Sequence, residues 1–257
     1  MKKQKTIVIK IGGSTLGSND TALLDIAAIQ KGGLTPIIVH GGGATISKWM
    51  NDLGTMPRFV NGMRVTDQPT LEVVIAVLAG LVNKNLVVSL SKLGVKAVGI
   101  SGVDGELFSS KMISPELGMV GEIVEVKTDI VQMLHEKGYI PVIAPLGTDV
   151  TNGKALLNLN ADVAAGKLAE VLMADQLLIL TDVPGVMDNS QRRIPRLTSG
   201  QAKAILANGV ASGGMIPKIE ACLMALKNVT ITRIVDGREA NVLLRSLDGE
   251  DLGTRIG

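Results

Sequence analysis

The sequence has 257 residues, of which 46% are hydrophobic and 19% charged, the balance of a globular protein. Basic residues exceed acidic ones by only 26 − 24 = 2 and form no long run, which argues against a nucleic-acid-binding surface and favours a small-molecule partner. Cys222 is the single cysteine, so no intrachain disulfide forms, as is typical of a cytoplasmic protein. The longest apolar run, Val73 to Val82, is about half of the ~20 residues that a membrane helix needs.

Short β-branched runs alternate with segments of helical periodicity along the chain. This alternation predicts a three-layer α/β/α sandwich with an open, mainly parallel central sheet covered on both faces. The predicted strands are Thr6–Ile11, Pro36–Val39, Ala97–Ile100, Ile140–Ala144, Gln176–Leu180 and Thr230–Ile234.

Residues 44–53 and 219–226 place apolar side chains at i, i+3, i+4 and i+7, which predicts amphipathic helices. The segment Leu71–Lys92 is apolar on every face near its start, so we expect an inner helix or a dimer seam. Two short pieces, Glu106–Lys111 and Val120–Val126, predict a hairpin that projects from the sheet.

Two glycine clusters, Gly12-Gly13-Ser14 and Gly41-Gly42-Gly43, follow predicted strands directly. Ligands bind at this edge of an open α/β sheet, where backbone N–H groups and helix N-termini attract anions. Either cluster alone could be a tight turn, but two at equivalent ends favour a phosphate or carboxylate site. The sequence lacks a Walker loop, and the triple glycine lacks the rest of a dinucleotide fingerprint, so a Rossmann dehydrogenase is the weaker interpretation.

Two lysines lie where a bound anion would stabilise them. Lys10 interrupts an apolar strand, where an unpaired charge is costly to bury, unless its side chain extends to solvent. Lys218 follows Pro217, a residue typical of the first turn of a helix, and the helix dipole disfavours a cation there. A solvated first-turn lysine is the alternative, and a phosphate would suit both positions.

Asn158, Asn160 and Asp162 alternate where the chain enters another predicted helix, with Asp162 in its first turn. In an extended chain this spacing directs the three side chains to one side, and helix capping explains only one of them. Arg64 lies in a turn-rich segment, where it could bind a carboxylate through two hydrogen bonds or be a surface arginine.

Seven ordered motifs together resemble the amino-acid kinase family, and the resemblance runs from Lys10 to the ending Gly253-Thr254-Arg255-Ile256. It implies one kinase domain over residues 1–257, with an acceptor-binding lobe of about 1–175 and a nucleotide-binding lobe of about 176–257. The motifs are Ile9-Lys10-Ile11-Gly12-Gly13-Ser14, Val39-His40-Gly41-Gly42-Gly43, Gly62-Met63-Arg64-Val65-Thr66, Val82-Asn83-Lys84, Asn158-Leu159-Asn160-Ala161-Asp162, Thr181-Asp182-Val183-Pro184-Gly185-Val186 and Gly213-Gly214-Met215-Ile216-Pro217-Lys218.

The resemblance also implies roles for individual residues. Lys10 and Lys218 would stabilise the transferring phosphoryl group, and Asp162 would orient both ammonium groups. The acceptor would contact Gly42, Gly43, Arg64, Asn158 and Asn160. ATP would be bound by Gly12, Gly13, Asp182, Val183, Pro184, Gly185, Val186, Met187, Val210, Ala211 and Ser212.

The reaction that the resemblance implies is ATP-dependent phosphorylation of the side-chain carboxylate of N-acetyl-L-glutamate, a step of arginine biosynthesis. A carboxylate is already a nucleophile at neutral pH, so catalysis needs alignment and charge neutralisation rather than a general base. Mg²⁺ would enter with ATP, held mostly by phosphates and water. With only two histidines, His40 and His135, far apart in the sequence, we predict no protein-built metal site and assign neither a chemical role.

Two alternatives stay open. Ser101-Gly102-Val103-Asp104-Gly105 is more similar to relatives that phosphorylate carrier-bound or free aminoadipate in lysine biosynthesis, whereas Val120-Gly121-Glu122-Ile123 and Ser212–Lys218 resemble the acetylglutamate branch. The other alternative is a non-catalytic sensor of nucleotide or amino acid. Such a sensor would tolerate the loss of either lysine, yet both lysines are present. The resemblance further implies a homodimer joined around Leu71–Lys92 and, because nine residues precede Lys10, insensitivity to arginine.

Overall fold

The computed structural model describes residues 5–12, 21–60 and 62–257. The strands in these ranges are β1 (Ile7–Ile11), β2 (Ile37–His40), β3 (Phe59–Val60), β4 (Met63–Arg64), β5 (Ala97–Ser101), β6 (Phe108–Met112), β7 (Val120–Val126), β8 (Ile140–Ala144), β9 (Leu146–Asp149), β10 (Leu156–Leu159), β11 (Gln176–Thr181), β12 (Arg196–Leu197), β13 (Ile231–Asp236) and β14 (Thr254–Ile256). The α-helices are α1 (Thr21–Lys31), α2 (Gly43–Asp52), α3 (Gln68–Ile75), α4 (Asn83–Lys92), α5 (Asp129–Glu136), α6 (Ala161–Leu172), α7 (Ser199–Ala207), α8 (Met215–Ala225) and α9 (Val242–Leu247).

An eight-stranded sheet has the order β12-β14-β13-β11-β1-β2-β8-β5. Neighbouring strands are parallel from β13 to β5, while β14 runs antiparallel to β13. One face packs against α6 and α8, and the other against α1, α2, α3, α4 and α9. The predicted three-layer sandwich with a mainly parallel sheet is confirmed, and each predicted strand is present.

The central strand β1 is buried on both faces, as expected for a parallel strand covered by helices on either side. Ile7, Ile9 and Ile11 lie in the hydrophobic cluster on one face, and Val8 lies in the cluster on the α6 face. Because side chains alternate along a strand, Lys10 shares the side of Val8. The register of β1 therefore directs the lysine towards α6.

The predicted hairpin is confirmed, since β6 and β7 pair in antiparallel fashion with an irregularity between Ser109 and Ser110. Together with β9 and β10, these strands form a small closed four-stranded sheet, whose interior contributes Phe108 and Leu157 to the core. Strand β10 leads directly into Asn160 and α6. The small sheet therefore positions the polar residues that precede this helix.

One continuous helix runs from Gln68 to Lys92, because the π-helical segment Ala76–Val82 joins α3 to α4. By length and composition it could cross a membrane, a test that the core helix of a soluble protein also passes. One face packs into the core, whereas Leu81 and Val88 are 36% and 51% exposed. Of the two alternatives, a helix covered on every side within the chain is therefore wrong, because only one face is covered, whereas the dimer seam stays a prediction.

Helices α6 and α8 pack closely because a glycine lies between them. A Cβ atom on Gly166 would lie 2.7 Å from the carbonyl oxygen of Ala221. Helix α8 begins at Met215, ahead of the periodic pattern that starts at Ile219, so Lys218 lies in its N-terminal part. The close approach of the two helices brings the N-terminal turn of α6 towards Lys218.

We predict that Gly166→Ala destabilises the protein, although alanine favours helices over glycine by about 1 kcal/mol. The added methyl group must push the backbones of α6 and α8 apart, and overpacking of this kind costs roughly 1–3 kcal/mol. Urea unfolding of the two proteins measures the difference.

Gly200→Ala in α7 is the matched control, since the nearest atom to its Cβ would be Thr198 Oγ1 at 4.0 Å. This control should be neutral or slightly stabilising. Equal effects of the two substitutions would contradict the steric explanation.

Candidate active site

The carboxyl ends of three adjacent strands, β11, β1 and β2, carry the segments singled out in the sequence. Asp182 follows β11, Gly12 follows β1, and the triple glycine begins after His40. The N–H of Gly41 donates to the carbonyl of Ile11 at 2.9 Å, and this bond links the turn after β1 to the turn after β2. Gly12 is buried, and Gly13 lies outside the described residues. The two glycine clusters thus begin side by side.

A cavity of about 230 Å³ opens at this edge. It contains every acceptor-binding residue predicted from the sequence, together with Lys10 and Asp162. The polar lining residues are Lys10, Arg64, Asn158, Asn160 and Asp162, and the glycines are Gly41, Gly42, Gly43 and Gly62. The apolar lining residues are Ile46, Phe59, Met63, Leu78, Val120, Pro145, Leu159 and Ala161.

The two predicted lysines meet at one carboxylate. Lys10 Nζ lies 2.9 Å from Asp162 Oδ1, and Lys218 Nζ lies 3.1 Å from Asp162 Oδ2. The side chains are 6%, 13% and 7% exposed for Lys10, Lys218 and Asp162, respectively. Neither lysine extends freely into solvent, so both surface interpretations are wrong. Two cations and one anion leave a net positive charge at the edge of the cavity.

Burial and charge act against each other at this cluster. Burial is the strongest influence on Lys10 and lowers its pKa, Asp162 raises it, and the nearby charge of Lys218 lowers it further. Burial also opposes ionisation of Asp162, but the charges and hydrogen bonds of both lysines outweigh it and hold the pKa of this carboxyl below its ordinary value. Asp162 is therefore ionised at neutral pH and serves both ammonium groups.

Asn160 explains the local position of Asp162. Its Oδ1 atom accepts from the N–H groups of Asp162 at 2.9 Å and Val163 at 3.1 Å, so Asn160 is the N-cap of α6. The cap fixes the first turn of the helix, which carries Asp162 at the cavity wall.

Arg64 is buried, with 7% of its surface exposed, so the surface interpretation is wrong here too. Its Nη2 atom donates to the carbonyl of Gly43 at 2.9 Å and to Ser47 Oγ at 2.8 Å, and the guanidinium lies over the ring of Phe59. Burial lowers the pKa of Arg64, but the ordinary pKa of this group is so high that it stays charged. Arg64 thus offers a fixed cation inside the cavity.

Asn158 is connected to Arg64 through Thr66. Asn158 Nδ2 donates to Thr66 Oγ1 at 3.1 Å, and this hydroxyl donates to the carbonyl of Arg64 at 2.9 Å. Thr66 is fully buried. These bonds hold the two predicted acceptor-binding residues in one hydrogen-bonded unit.

Apart from Gly12 and Gly13, the residues predicted to bind ATP lie in two loops outside this cavity, after β11 and between α7 and α8. The side chains of Val186 and Ala211 belong to the hydrophobic core, and the N–H of Val186 donates to Thr254 Oγ1 at 2.8 Å. Asp182, Pro184 and Ser212 are exposed, Gly185 is buried, and Val183, Met187 and Val210 are half-buried. Their contacts with a nucleotide stay a prediction.

His40 and Asn83 form a buried pair beside the cavity to which sequence reasoning gave no role. Both residues are 0% exposed, and Asn83 Nδ2 lies 3.1 Å from His40 Nε2. Burial lowers the pKa of His40 to about 4, so the ring is neutral at neutral pH. His40 is a polar residue at the end of the apolar strand Ile37-Ile38-Val39-His40. Like Lys10 in β1, it could have been recognised from the sequence as a polar side chain that needs a buried partner.

In the part of the chain that the structure describes, no three His, Cys, Asp or Glu side chains cluster to hold a metal ion. Asp162, the carboxylate within the cavity, already contacts two lysines. The side chains described here are therefore arranged for anions, and the arrangement is that of an enzyme acting on anionic substrates at the edge of a parallel sheet.

Comparison with known proteins agrees with this class. Residues 5–236 match the amino acid kinase family. The chain is 43% identical over 254 residues to an acetylglutamate kinase of Dehalococcoides mccartyi, covering 97% of this chain and 93% of the relative. An acetylglutamate kinase of Caldanaerobacter subterraneus is 44% identical over 263 residues, with 98% and 87% covered. The crystal structure of smu.665 from Streptococcus mutans superposes with a TM-score of 0.84 at 30% identity, covering 98% of each chain.

The chain belongs to the amino acid kinase family. It is a phosphotransferase with ATP as co-substrate and a carboxyl group as acceptor.

We predict that Asp162→Asn destabilises the protein by about 3–5 kcal/mol, because it leaves two buried ammonium groups without their anion. The neutral amide has nearly the same shape, so the lost charge dominates the effect. Urea unfolding at neutral pH measures it.

Asp52→Asn is the matched control, since Asp52 pairs with Lys48 through side chains that are 57% and 72% exposed. Its effect should stay below about 1 kcal/mol. A loss of similar size in both variants would show that Asp162 is not the anion on which the cluster depends.

Proposed function

We propose that this protein transfers the γ-phosphoryl group of ATP to the side-chain carboxylate of N-acetyl-L-glutamate, as its relatives' names indicate for them, in arginine biosynthesis. A carboxylate oxygen forms a bond to the γ-phosphorus, the bond to the bridging oxygen of ADP breaks, and no proton is transferred. The products are an acyl phosphate and ADP.

The observation that carries this proposal is the pair of lysines on one carboxylate at the sheet edge. In phosphoryl transfer, negative charge is spread over the oxygens of the transferred group, and fixed cations stabilise it. Lys10 and Lys218 are the fixed cations in this proposal, and Asp162 keeps their ammonium groups in place before the substrates bind.

We infer the acceptor's position from the lining of the cavity. We assign its reacting carboxylate to the N–H groups of Gly42 and Gly43, next to Lys10. Its α-carboxylate pairs with Arg64 and is oriented by Asn158, with Asn160 close by. A cavity lined by both a fixed cation and a turn of backbone N–H groups suits a dicarboxylate, because each carboxylate can then meet a positive group.

We assign ATP to the neighbouring loops. Gly12 and Gly13 would contact its phosphates, while Asp182–Met187 and Val210–Ser212 would contact the nucleoside, so residues of about 176–257 form the nucleotide side and about 1–175 the acceptor side. Mg²⁺ would come with ATP and be held mostly by phosphates and water. The proposed location of the enzyme is the cytoplasm.

A coupled assay for ADP release tests the function, with N-acetylglutamate, glutamate, aspartate and N-acetylaminoadipate offered in turn. N-acetylglutamate should give the highest kcat/KM. Preference for N-acetylaminoadipate would move the enzyme to lysine biosynthesis, and no turnover with any of the four acceptors would favour a non-catalytic sensor.

In the same assay Lys10→Ala and Lys218→Ala should each lower kcat by about 10²–10³-fold, the usual loss for one preorganised donor. Lys227→Ala is the matched control, since this lysine lies just beyond α8 with its side chain 66% exposed. The control should keep the wild-type kcat.

The enzyme is proposed to be a homodimer joined along the helix from Gln68 to Lys92. Its support is the exposure of two large apolar side chains on the uncovered face, Leu81 and Val88. Sedimentation equilibrium should give twice the chain mass of 26.9 kDa, and the double substitution Leu81→Glu and Val88→Glu should give monomers. A wild-type monomer at micromolar concentration would contradict the dimer.

A further inference from the structure

His40 is fully buried directly before the triple glycine, and the reaction described above makes no use of it. Its Nδ1 atom lies 3.0 Å from the carbonyl oxygen of Gly41. A carbonyl only accepts hydrogen bonds, so Nδ1 carries the proton and donates it. Nε2 is then an acceptor, which matches the N–H of Asn83 that lies 3.1 Å away. One tautomer satisfies both ring nitrogens.

The bond to the Gly41 carbonyl fixes the next amide as well. Peptide bonds in the described chain are trans, and in a planar trans peptide the C=O and the following N–H point in opposite directions. Because the Gly41 carbonyl points to the buried His40, the N–H of Gly42 points away from that core. Gly42 lines the cavity, and among the described residues no acceptor is bonded to its N–H.

Asn83 fixes the imidazole ring in turn. Its Nδ2 atom also lies 2.9 Å from the carbonyl oxygen of Val142 and 3.1 Å from that of Ile100, so its two N–H groups are shared among three acceptors, and its Oδ1 atom accepts from Lys84 Nζ at 3.0 Å. These carbonyls belong to β8 and β5, so the amide is held by the sheet itself. A Cβ on Gly99 would lie 2.0 Å from Asn83 Oδ1, which shows how closely the site is built around this side chain.

We propose that His40 is a positioning residue for phosphoryl transfer. By donating to the Gly41 carbonyl, it directs the N–H of Gly42 into the cavity, and Asn83 fixes the orientation of the His40 imidazole. The effect of His40 on catalysis rests on the proposed function, since the N–H of Gly42 would contact the reacting carboxylate. The hold on the Gly42 amide is a property of the free protein. It can therefore be tested separately from turnover.

His40→Asn and His40→Leu form a matched pair. Both side chains branch at Cγ as histidine does, and both lose the partner of Asn83, so their structural losses are alike. The amide nitrogen of asparagine is bonded to Cγ, as Nδ1 is, and can still donate to Gly41, whereas leucine cannot. A difference between the two variants isolates the bond to the carbonyl.

We expect His40→Leu to have a kcat about 10- to 10²-fold below that of His40→Asn, since small misplacements of catalytic groups cost this much, with KM for ATP unchanged. In the free proteins, ¹⁵N relaxation of Gly42 should show a rigid amide in wild type and His40→Asn, and a mobile one in His40→Leu. His135→Asn, at the other histidine, should match wild type in every measurement.

Equal kcat and equal Gly42 mobility in His40→Asn and His40→Leu would overturn the proposal. If His40→Leu does not fold, His40→Gln replaces it, because its longer side chain can accept from Asn83 while leaving the Gly41 carbonyl without a donor. A wild-type protein without turnover would refute the proposed function, and the relaxation of Gly42 would still decide whether His40 holds this amide.

Discussion

One carboxylate, that of Asp162, holds the active-site charges together. It contacts Lys10 at 2.9 Å and Lys218 at 3.1 Å, and the three side chains are largely shielded from water. Without the carboxylate, two like charges would be buried side by side, which proteins avoid. With it, both ammonium groups are fixed before any substrate arrives, yet one positive charge remains uncompensated. The cluster is therefore stable without a ligand and still attractive to phosphate.

The rest of the fold is what allows this contact. Lys10 comes from the central strand, Asp162 from the first turn of α6, and Lys218 from the start of α8. The alternation of β1 directs Lys10 to the α6 face, Asn160 fixes the first turn of α6, and Gly166 lets α8 approach. The same edge places Arg64 and the triple glycine around one cavity. Elements far apart in the sequence thus supply charges to a single point.

Much of this arrangement could be predicted from the sequence, because its signals are local. Lys10 stood out as a charge inside an apolar strand, and the glycines, Pro217 and the spacing from Asn158 to Asp162 marked strand and helix ends. What sequence reasoning missed depends on contacts across the fold. The burial of Arg64 results from its packing on Phe59 and α2. The helix Gln68–Lys92 is covered on one side because of the elements that it packs against. The hydrogen bonding of His40 depends on Asn83, which lies on another element. Apart from Phe59, which pairs with Arg64 in the short β3–β4 hairpin, these partners are distant in the chain.

Catalysis as proposed requires both lysines to act on the same phosphoryl group. A crystal structure of the protein with ADP, Mg²⁺, aluminium fluoride and N-acetylglutamate tests this directly, because aluminium fluoride takes the place of the group in transfer. We expect the ammonium groups of Lys10 and Lys218 each within hydrogen-bonding distance of a fluoride, with the acceptor carboxylate and ADP on opposite sides of the aluminium. A complex in which only one lysine reaches the fluoride, or in which the acceptor lies outside the cavity, would contradict the account.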